Sequence, residues 1–544
     1  MKPMYQRHQN FHIGTIFDHV GLALALDLGR RGIRSTVIER NFGAETGTNA
    51  KASVIDERTM EFCRLLGVRD DIANAGFPAD LPGDTIFCTA MDGHYIGRLE
   101  MPSAATRETP EESAEMLRRC PQIWFDPIFA RTVHRQGMAD IRYGMEATGC
   151  DQSDKGVVCH LRNISNGVLE DVRAMYVVAC DGAASVIRNE LGIPFEGNDL
   201  GYAISSIVQL DLAKYNRWTT AERFMFIGPD GTWGNFTTID GRLLWRFSIL
   251  GGNAKVDLSN VDMDAFVQKA IGGDKPSYKI IKTVQWRRSQ YNAATYHRGR
   301  IILAGDAAHT MSPTGGHGLN TGIGDIMGLS WVLQALIEGW GGPDLLDAYT
   351  IERRPIALRN GAGSTRNFGI WIDKVGRDKV LDDGLEADEQ RDSLGKNMAA
   401  KMRQEFQSLG LALGYSYPDS PLIIPDGSSA PLDDPDYCVQ TVGPGHRAPH
   451  CWIEVGWSTI DIFGRGFVLL CFEKEFTENE RIVRTAKEFV IPLEIAVILN
   501  SEAARLYERR LVLVRPDGMV AWRGDTLPDN VEMLLNQVRG VSQG

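Results

Sequence analysis

The chemistry of this chain concentrates around Asp306. Arg300 to Ala304 (RIILA) is an apolar run ending in Gly305-Asp306, the pattern of a buried parallel strand that delivers a carboxylate at its carboxyl end. A carboxylate there can accept hydrogen bonds from ligand hydroxyls. The loop Ser312 to Gly318 contains three glycines and a proline, so its backbone can come close to a flat ligand. It runs into an amphipathic segment from about Leu319 to Glu338, which predicts a helix that starts at the ligand. Free amides in the first turn and the positive end of the macrodipole suit an anion or an electron-rich ring carbonyl. His309 and His317 lie in the same stretch, and packing or hydrogen bonding explains each better than general-base work. No catalytic base is assigned.

The elements that must position this site can be read outward from it. Val20 to Arg31 (VGLALALDLGRR) has the pattern of a buried helix, Gly32 stops it, and Arg34 to Glu39 (RSTVIE) is a strand ending in an acid. That is helix then strand of a nucleotide-binding βαβ unit, in which Glu39 would hydrogen-bond a ribose. The glycine fingerprint that should precede it fails, because its first two positions fall on Ile16 and Asp18. Phe11 to Thr15 also reads as a poor buried strand. Two explanations stay open: an amino terminus that is not the natural one, or a chain that has lost tight cofactor binding. Ala174 to Asp181 is a further buried strand ending in Asp181-Gly182, with a helix expected over Ala183 to Leu191. From Pro194 to about Arg288 the pattern changes to short strands with turn signals, a sheet layer in which Trp233, Phe236 and Trp245 either line an aromatic pocket or, as is usual for aromatics in strands, pack in the core. Beyond Pro355 the chain is helical and polar through Gln407, an exposed connection, and Pro421 to Pro435 reads as a linker. Pro444 to Gly540 restarts as a compact unit.

Three motifs arrive in order: Gly305-Asp306, P-x-G-G-x-G-x-N from Pro313 to Asn320, and YxxERRP from Tyr349 to Pro355. The block closely resembles the flavin-binding motif of single-component aromatic hydroxylases, the flavoprotein monooxygenases of the p-hydroxybenzoate hydroxylase type. The segments PGHRAPH, STIDIFGRGFVLLCFE and LVLVRPDGMVAWRGD resemble the thioredoxin-like carboxyl domain of the phenol and polyketide hydroxylase branch. The resemblance implies an α/β fold with a Rossmann-like FAD-binding domain, an inserted β-sheet substrate domain and a C-terminal thioredoxin-like domain. The FAD-binding domain would occupy 1–193, with a substrate-layer segment at about 85–99, and resume over 286–365. The substrate sheet would span 194–285, a helical connection and linker 366–435, and the last domain 436–544.

By motif position, the resemblance makes Asp306 the ligand of the flavin ribityl chain and puts Pro313 beside the reacting edge. Gly318, Leu319 and Asn320 would offer backbone amides. Lys51, in KASVIDER, stands where relatives usually carry an arginine near the pyrophosphate, keeping the charge but losing the bidentate fork. Gln122, in RRCPQIWFDPIF, would reach the flavin chain, and Asp181, in DGAASVIR, would lie near the cofactor, with Arg188 bonding back to hold its turn. Trp286-Arg287-Arg288 matches a family pattern just before the return to the flavin domain. The implied reaction uses FAD, NAD(P)H as co-substrate and dioxygen to hydroxylate a phenolic or polyketide-like aromatic, with no metal. The alternative is a flavin-fold protein with impaired FAD binding that acts as a non-catalytic binding protein.

Composition narrows the partners. A net charge of −12 over 544 residues argues against nucleic acid and anionic membranes and for a small-molecule ligand. The nine cysteines are scattered with no CxxC, which fits a reduced cytoplasmic setting and gives the last domain a structural or dimer-supporting part, with a homodimer possible. No apolar run is long enough to span a bilayer.

Overall fold

The computed structural model describes residues 13–16, 19–44, 52–273, 276–474 and 479–541. A six-stranded sheet carries the site. Its strand order is His297–Arg298, Ile301–Leu303, Tyr176–Ala179, Ile13–Ile16, Ser35–Glu39 and Ala139–Tyr143, parallel except at the first strand. Ser35–Glu39 is buried at all five positions, as expected of a parallel strand covered on both faces. The helix His19–Arg30 buries Val20 through Leu28 without interruption, so it is an interior helix. Its one acid, Asp27, is kept charged there by ion pairs to Arg30 and Arg31 at 2.8 and 3.1 Å and by the Ser330 hydroxyl.

Two expectations need correction. Ile13–Ile16 is not a poor strand: it is central, with Ile13 opposite both Tyr176 and Ser35. Neighbours on both sides supply its backbone partners, which its own composition does not advertise. Residue 18 and the side chain of Ile16 lie outside the described residues. The helix Leu385–Phe406 is not a purely exposed connection either. Leu394, Met398 and Met402 recur every four residues, and this stripe is buried against Ile96, Leu99 and Met225. Close approach is enforced by paired glycines: a Cβ on Gly395 would sit 2.0 Å from the Ile96 carbonyl oxygen.

The second layer is an eight-stranded sheet in which Phe195–Leu210 and Tyr278–Ala293 pair along most of their length, and Thr85–Cys88 and Tyr95–Leu99 form one edge. Phe236 and Trp245 are buried in its core and Trp233 is half-buried, stacked on Phe226 at 5.2 Å. The carboxyl-terminal unit has a four-stranded sheet in the order Leu493–Val497, Phe467–Cys471, Leu511–Val514, Val520–Gly524, one parallel pair and a hairpin. It is fastened to the rest through Phe467 against Trp331 and Trp340, and through buried ion pairs of Arg447 with Glu61 and of Arg515 with Glu352. Among the described residues no helix is long and apolar enough to cross a membrane.

Candidate active site

The strand Ile301–Leu303 ends in a tight turn over Gly305–Ala307, where Gly305 has φ +60°. From Ile301 to Thr310 every residue is buried except Asp306, which faces solvent at the carboxyl edge of the parallel sheet. That exposure follows from what lies beneath the turn. Asp325, fully buried on the helix His317–Glu338, accepts the Gly305 N–H at 3.0 Å, His309 Nε2 at 2.7 Å and Arg353 Nε at 3.0 Å. Burial pushes its carboxyl up, but His309, Arg353 and the Gly305 amide outweigh it and hold the group below its ordinary value. An ionised carboxylate only accepts, so the His309 proton bonded to it is on Nε2. His309 is therefore a support for the turn. Arg353 also donates to the Thr321 carbonyl and the Tyr417 hydroxyl, each at 3.1 Å.

The glycine loop is built by close approach. Gly315 and Gly316 have φ of +93° and +72°, and a Cβ on Gly316 would meet Val54 Cβ at 2.8 Å. Ser312 and Thr314 hydroxyls pair at 2.8 Å beneath the loop, and Thr314 bonds the Ser364 carbonyl, which leaves Pro313 exposed on the outer side. The helix begins at His317, so the Gly318, Leu319 and Asn320 amides belong to its first turn. The Asn320 side chain is a clasp: Oδ1 accepts the Asp56 N–H at 3.1 Å, and Nδ2 donates to the Val54 and Gly316 carbonyls at 3.1 and 2.9 Å. His317 is buried, and burial together with Arg359 and Arg366 lowers it to about 4, so it is neutral at pH 7.

The other predicted residues gather along the same sheet edge. Parallel pairing puts Glu39, the turn after Tyr176–Ala179 and Asp306 at the carboxyl ends of neighbouring strands. Glu39 is buried and its Oε1 accepts the Asn41 N–H at 2.5 Å. Asp181 Oδ2 accepts the Ile187 N–H at 3.3 Å, while its Oδ1 is buried with no partner. Arg188 donates to the Ala183 carbonyl at 3.0 Å and to the Ala307 carbonyl at 2.9 Å, tying the Asp181 turn to the Asp306 turn. Gln122 opens the helix Gln122–Gln136, with its Nε2 at 3.0 Å from Asp126 and 3.5 Å from His19 Nδ1 at the start of the first helix. Its Oε1 is buried without a partner. Lys51 lies outside the described residues. The two groups, sheet edge and glycine loop, are bridged by Ala52 to Val54, since the Gln122 N–H donates to the Ala52 carbonyl at 2.9 Å. Orphaned acceptors at Gln122 and Asp181, an outward carboxylate at Asp306 and a loop with no room for a Cβ fit a flavin nucleotide laid along this edge.

Between the glycine loop and the eight-stranded sheet lies a cleft, with Pro313, Gly315 and Gly316 on one wall and Arg223, Thr237 and Arg246 on the other. Phe236 and Trp245 do not line it: successive residues of a strand face opposite ways, so Trp245 enters the core and Arg246 the cleft. Trp286 donates to the Ser205 hydroxyl at 2.9 Å, Arg287 pairs with Asp199 at 3.4 Å, and Arg288 stacks over Phe368 at 3.7 Å. Two supporting residues had escaped the sequence reading, Asp325 and Glu405. For Asp325 the signal was present: an acid inside a helix otherwise apolar all round must be paired.

Residues 19–362 match the FAD binding domain family, and residues 441–541 match the aromatic-ring hydroxylase C-terminal family. The chain is 29% identical over 563 residues to the FAD-dependent monooxygenase apdD of Emericella nidulans, covering 96% of this chain and 89% of that protein. It is 27% identical over 550 residues to the 2,4-dichlorophenol 6-monooxygenase of Delftia acidovorans, covering 92% and 93% of the two chains. Its fold superposes on the rebeccamycin biosynthetic enzyme RebC with reduced flavin at a TM-score of 0.89 and 32% identity, over 98% of this chain and 99% of that one. Against the flavin-dependent monooxygenase PieE in complex with FAD and substrate the TM-score is 0.87 at 25% identity, over 98% and 100%.

Proposed function

Because the chain belongs to the family of FAD-binding aromatic-ring hydroxylases, we propose that it is an FAD-dependent monooxygenase that hydroxylates a phenolic or polyketide-like aromatic with NAD(P)H and dioxygen. Relatives named as monooxygenases along nearly the whole chain disfavour a non-catalytic role. The observation that carries the site is Asp306, the one outward carboxylate in a buried stretch, beside a glycine loop that borders the cleft against the eight-stranded sheet.

Bound FAD supplies the activation of dioxygen that side chains cannot provide. The protein does the rest. Asp306 accepts hydrogen bonds from the ribityl hydroxyls, Gln122 and Asp181 offer their unpartnered oxygens to the same chain, and Glu39 takes the ribose of the adenosine half. The first-turn amides at Gly318, Leu319 and Asn320 stabilise negative charge at the helix start, with Pro313 beside the reacting edge. The cleft holds the aromatic substrate against that loop and excludes water from it.

The test is the visible spectrum of the purified chain before and after FAD is added, followed by NAD(P)H oxidation with and without oxygen. Tight uptake with oxygen-dependent turnover is expected. Replacing Asp306 with Ala should weaken FAD binding about ten- to a hundredfold, the value of one or two hydrogen bonds to a charged group. An Asp306→Ala protein that keeps stoichiometric FAD at dilution would sink the assignment, and a wild-type chain that takes up no flavin would sink the reading as a whole.

A further inference from the structure

Two cysteines face each other across a hairpin beside the cofactor edge. The strands Met145–Ser153 and Gly156–Asn163 are antiparallel, and their register sets Cys150 directly opposite Cys159. Opposed residues of such a pair project from the same face of the sheet. Here that face packs on the main core, with Cys159 buried in it and Cys150 half-buried against it. The other face holds the register: His160 bonds Asp171 at 2.8 Å and Asp151 at 3.1 Å across the strands. Of the nine cysteines all but Cys150 and Cys438 are buried, so an oxidant reaches this pair through Cys150.

The two sulfurs already interact. The Cys150 thiol is pushed well up, first by its hydrogen bond with Cys159 and then by burial, with charge on Cys159, Glu190 and Asp181 adding to it. In that bond Cys150 keeps its proton and donates to the Cys159 sulfur. Opposed strand positions hold their Cβ atoms about 4.5–5.5 Å apart, whereas a disulfide wants about 3.8 Å, so closure must draw the strands together by roughly 1 Å. A bond made that way is strained and easily reduced, the property of a reversible disulfide and not of a permanent one. The same movement reaches the cofactor edge. The Cys150 N–H donates to Glu190 Oε2 at 3.0 Å, Glu190 ends the helix Val186–Glu190, and the Ile187 amide of that helix is held by Asp181. A Cβ on Gly149 would meet Glu190 Oε1 at 2.7 Å, so strand and helix are too closely packed to shift independently.

We propose that Cys150 and Cys159 form a reversible disulfide on oxidation by hydrogen peroxide, and that its closure loosens FAD by shifting the Asp181 turn. One thiol loses its proton and its sulfur attacks a peroxide oxygen: an S–O bond forms, the O–O bond breaks and water leaves, giving a sulfenic acid. The second sulfur then attacks the first. The S–S bond forms, the S–O bond breaks, and the departing hydroxide takes up the second thiol's proton as water. Two thiols are thus oxidised by two electrons while one peroxide becomes two waters. Because Cys150 keeps its proton at pH 7, closure takes minutes to hours and is not the response of a fast sensor. The effect on FAD rests on the hydroxylase reading; the disulfide does not.

The test treats the FAD-loaded enzyme with hydrogen peroxide, blocks remaining thiols with N-ethylmaleimide under denaturing conditions and digests with trypsin without reductant. Lys155 lies between the two cysteines, so cleavage separates residues 143–155 from residues 156–162. Mass spectrometry should find these two peptides linked, lighter than their sum by two hydrogens, and separated again by dithiothreitol. Maleimide on both cysteines, a sulfinic or sulfonic acid at Cys150 without the link, or Cys150 joined to a different cysteine would overturn the disulfide. FAD affinity, read by flavin fluorescence, should fall about tenfold on oxidation, the value of one hydrogen bond to a carboxylate, and return with dithiothreitol. Cys150→Ser should keep its FAD affinity through the same treatment, and Cys159→Ala takes its place if the serine variant fails to fold. A linked peptide with unchanged affinity, or an equal loss in the variant, would overturn the coupling to Asp181. A chain that takes up no FAD refutes the hydroxylase reading, and the linked peptide still decides the thiol pair.

Discussion

Replacing Asp325 with Ala should both destabilise the protein and loosen its cofactor, although Asp325 is not itself proposed to touch the cofactor. The side chain is fully buried and accepts from the Gly305 amide, His309 and Arg353 at once. Removing one partner of a buried ion pair costs about 3–5 kcal/mol. The Gly305 N–H left without an acceptor adds roughly 1–3 kcal/mol. These terms share one site and overlap, so the expected loss is at least about 3 kcal/mol, less for Asp325→Asn, which keeps an acceptor and the shape. Urea unfolding followed by far-UV circular dichroism reads this loss, and an FAD titration reads the second effect. The Gly305 bond fixes the turn that presents Asp306, so affinity should fall about tenfold or more in Asp325→Ala. Asp306→Ala, at an exposed position, should weaken FAD with little change in the unfolding midpoint. An Asp325→Ala protein with the wild-type midpoint, or one with wild-type FAD affinity, would refute the argument that this carboxylate holds the turn.

Other substitutions test the surrounding structure. Arg515→Met leaves Glu352 and Asp517 as buried carboxylates without their shared guanidinium, so a loss of about 3–5 kcal/mol and faster proteolytic cleavage near residues 421–435 are expected. Gly395→Ala should destabilise by about 1–3 kcal/mol or more and disturb ligand binding, because its new Cβ must displace the Ile96 carbonyl and tilt the helix that supplies Glu405. Thermal melts of this variant and of Gly369→Ala, which meets nothing within 4 Å, make the comparison. For pH, His317 has a folded value of about 4, below its ordinary 6.5, so the unfolded chain binds the extra proton between these limits. Stability from this group is intact above about 6.5 and falls by up to roughly 3 kcal/mol as the pH drops towards 4. His450, also lowered to about 4 by burial first and Arg447 second, works in the same window. His317→Gln should flatten the acid slope of unfolding free energy by the His317 share; an unchanged slope would show that His317 is not held neutral.

What the sequence determined by itself was local. Ile301–Leu303 and Tyr176–Ala179 were visible as strands, and His19–Arg30 and His317–Glu338 as helices, because each carries its burial pattern in consecutive residues. Gly305-Asp306 and the glycine loop were readable for the same reason, since a tight turn and a close backbone approach demand particular residues at the turn itself. Tertiary structure decided the rest. Ile13–Ile16 is a central strand because Tyr176–Ala179 and Ser35–Glu39 flank it, not because its composition is strongly strand-like. The stripe Leu394, Met398, Met402 was hidden among charged neighbours until the edge strand Tyr95–Leu99 gave it a surface to cover. The cleft draws Arg107 and Arg119, Glu222 and Arg223, Arg246 and Glu405 from segments up to about three hundred residues apart. Charge at that site is a sum over separate elements, and no single stretch of sequence contains the sum.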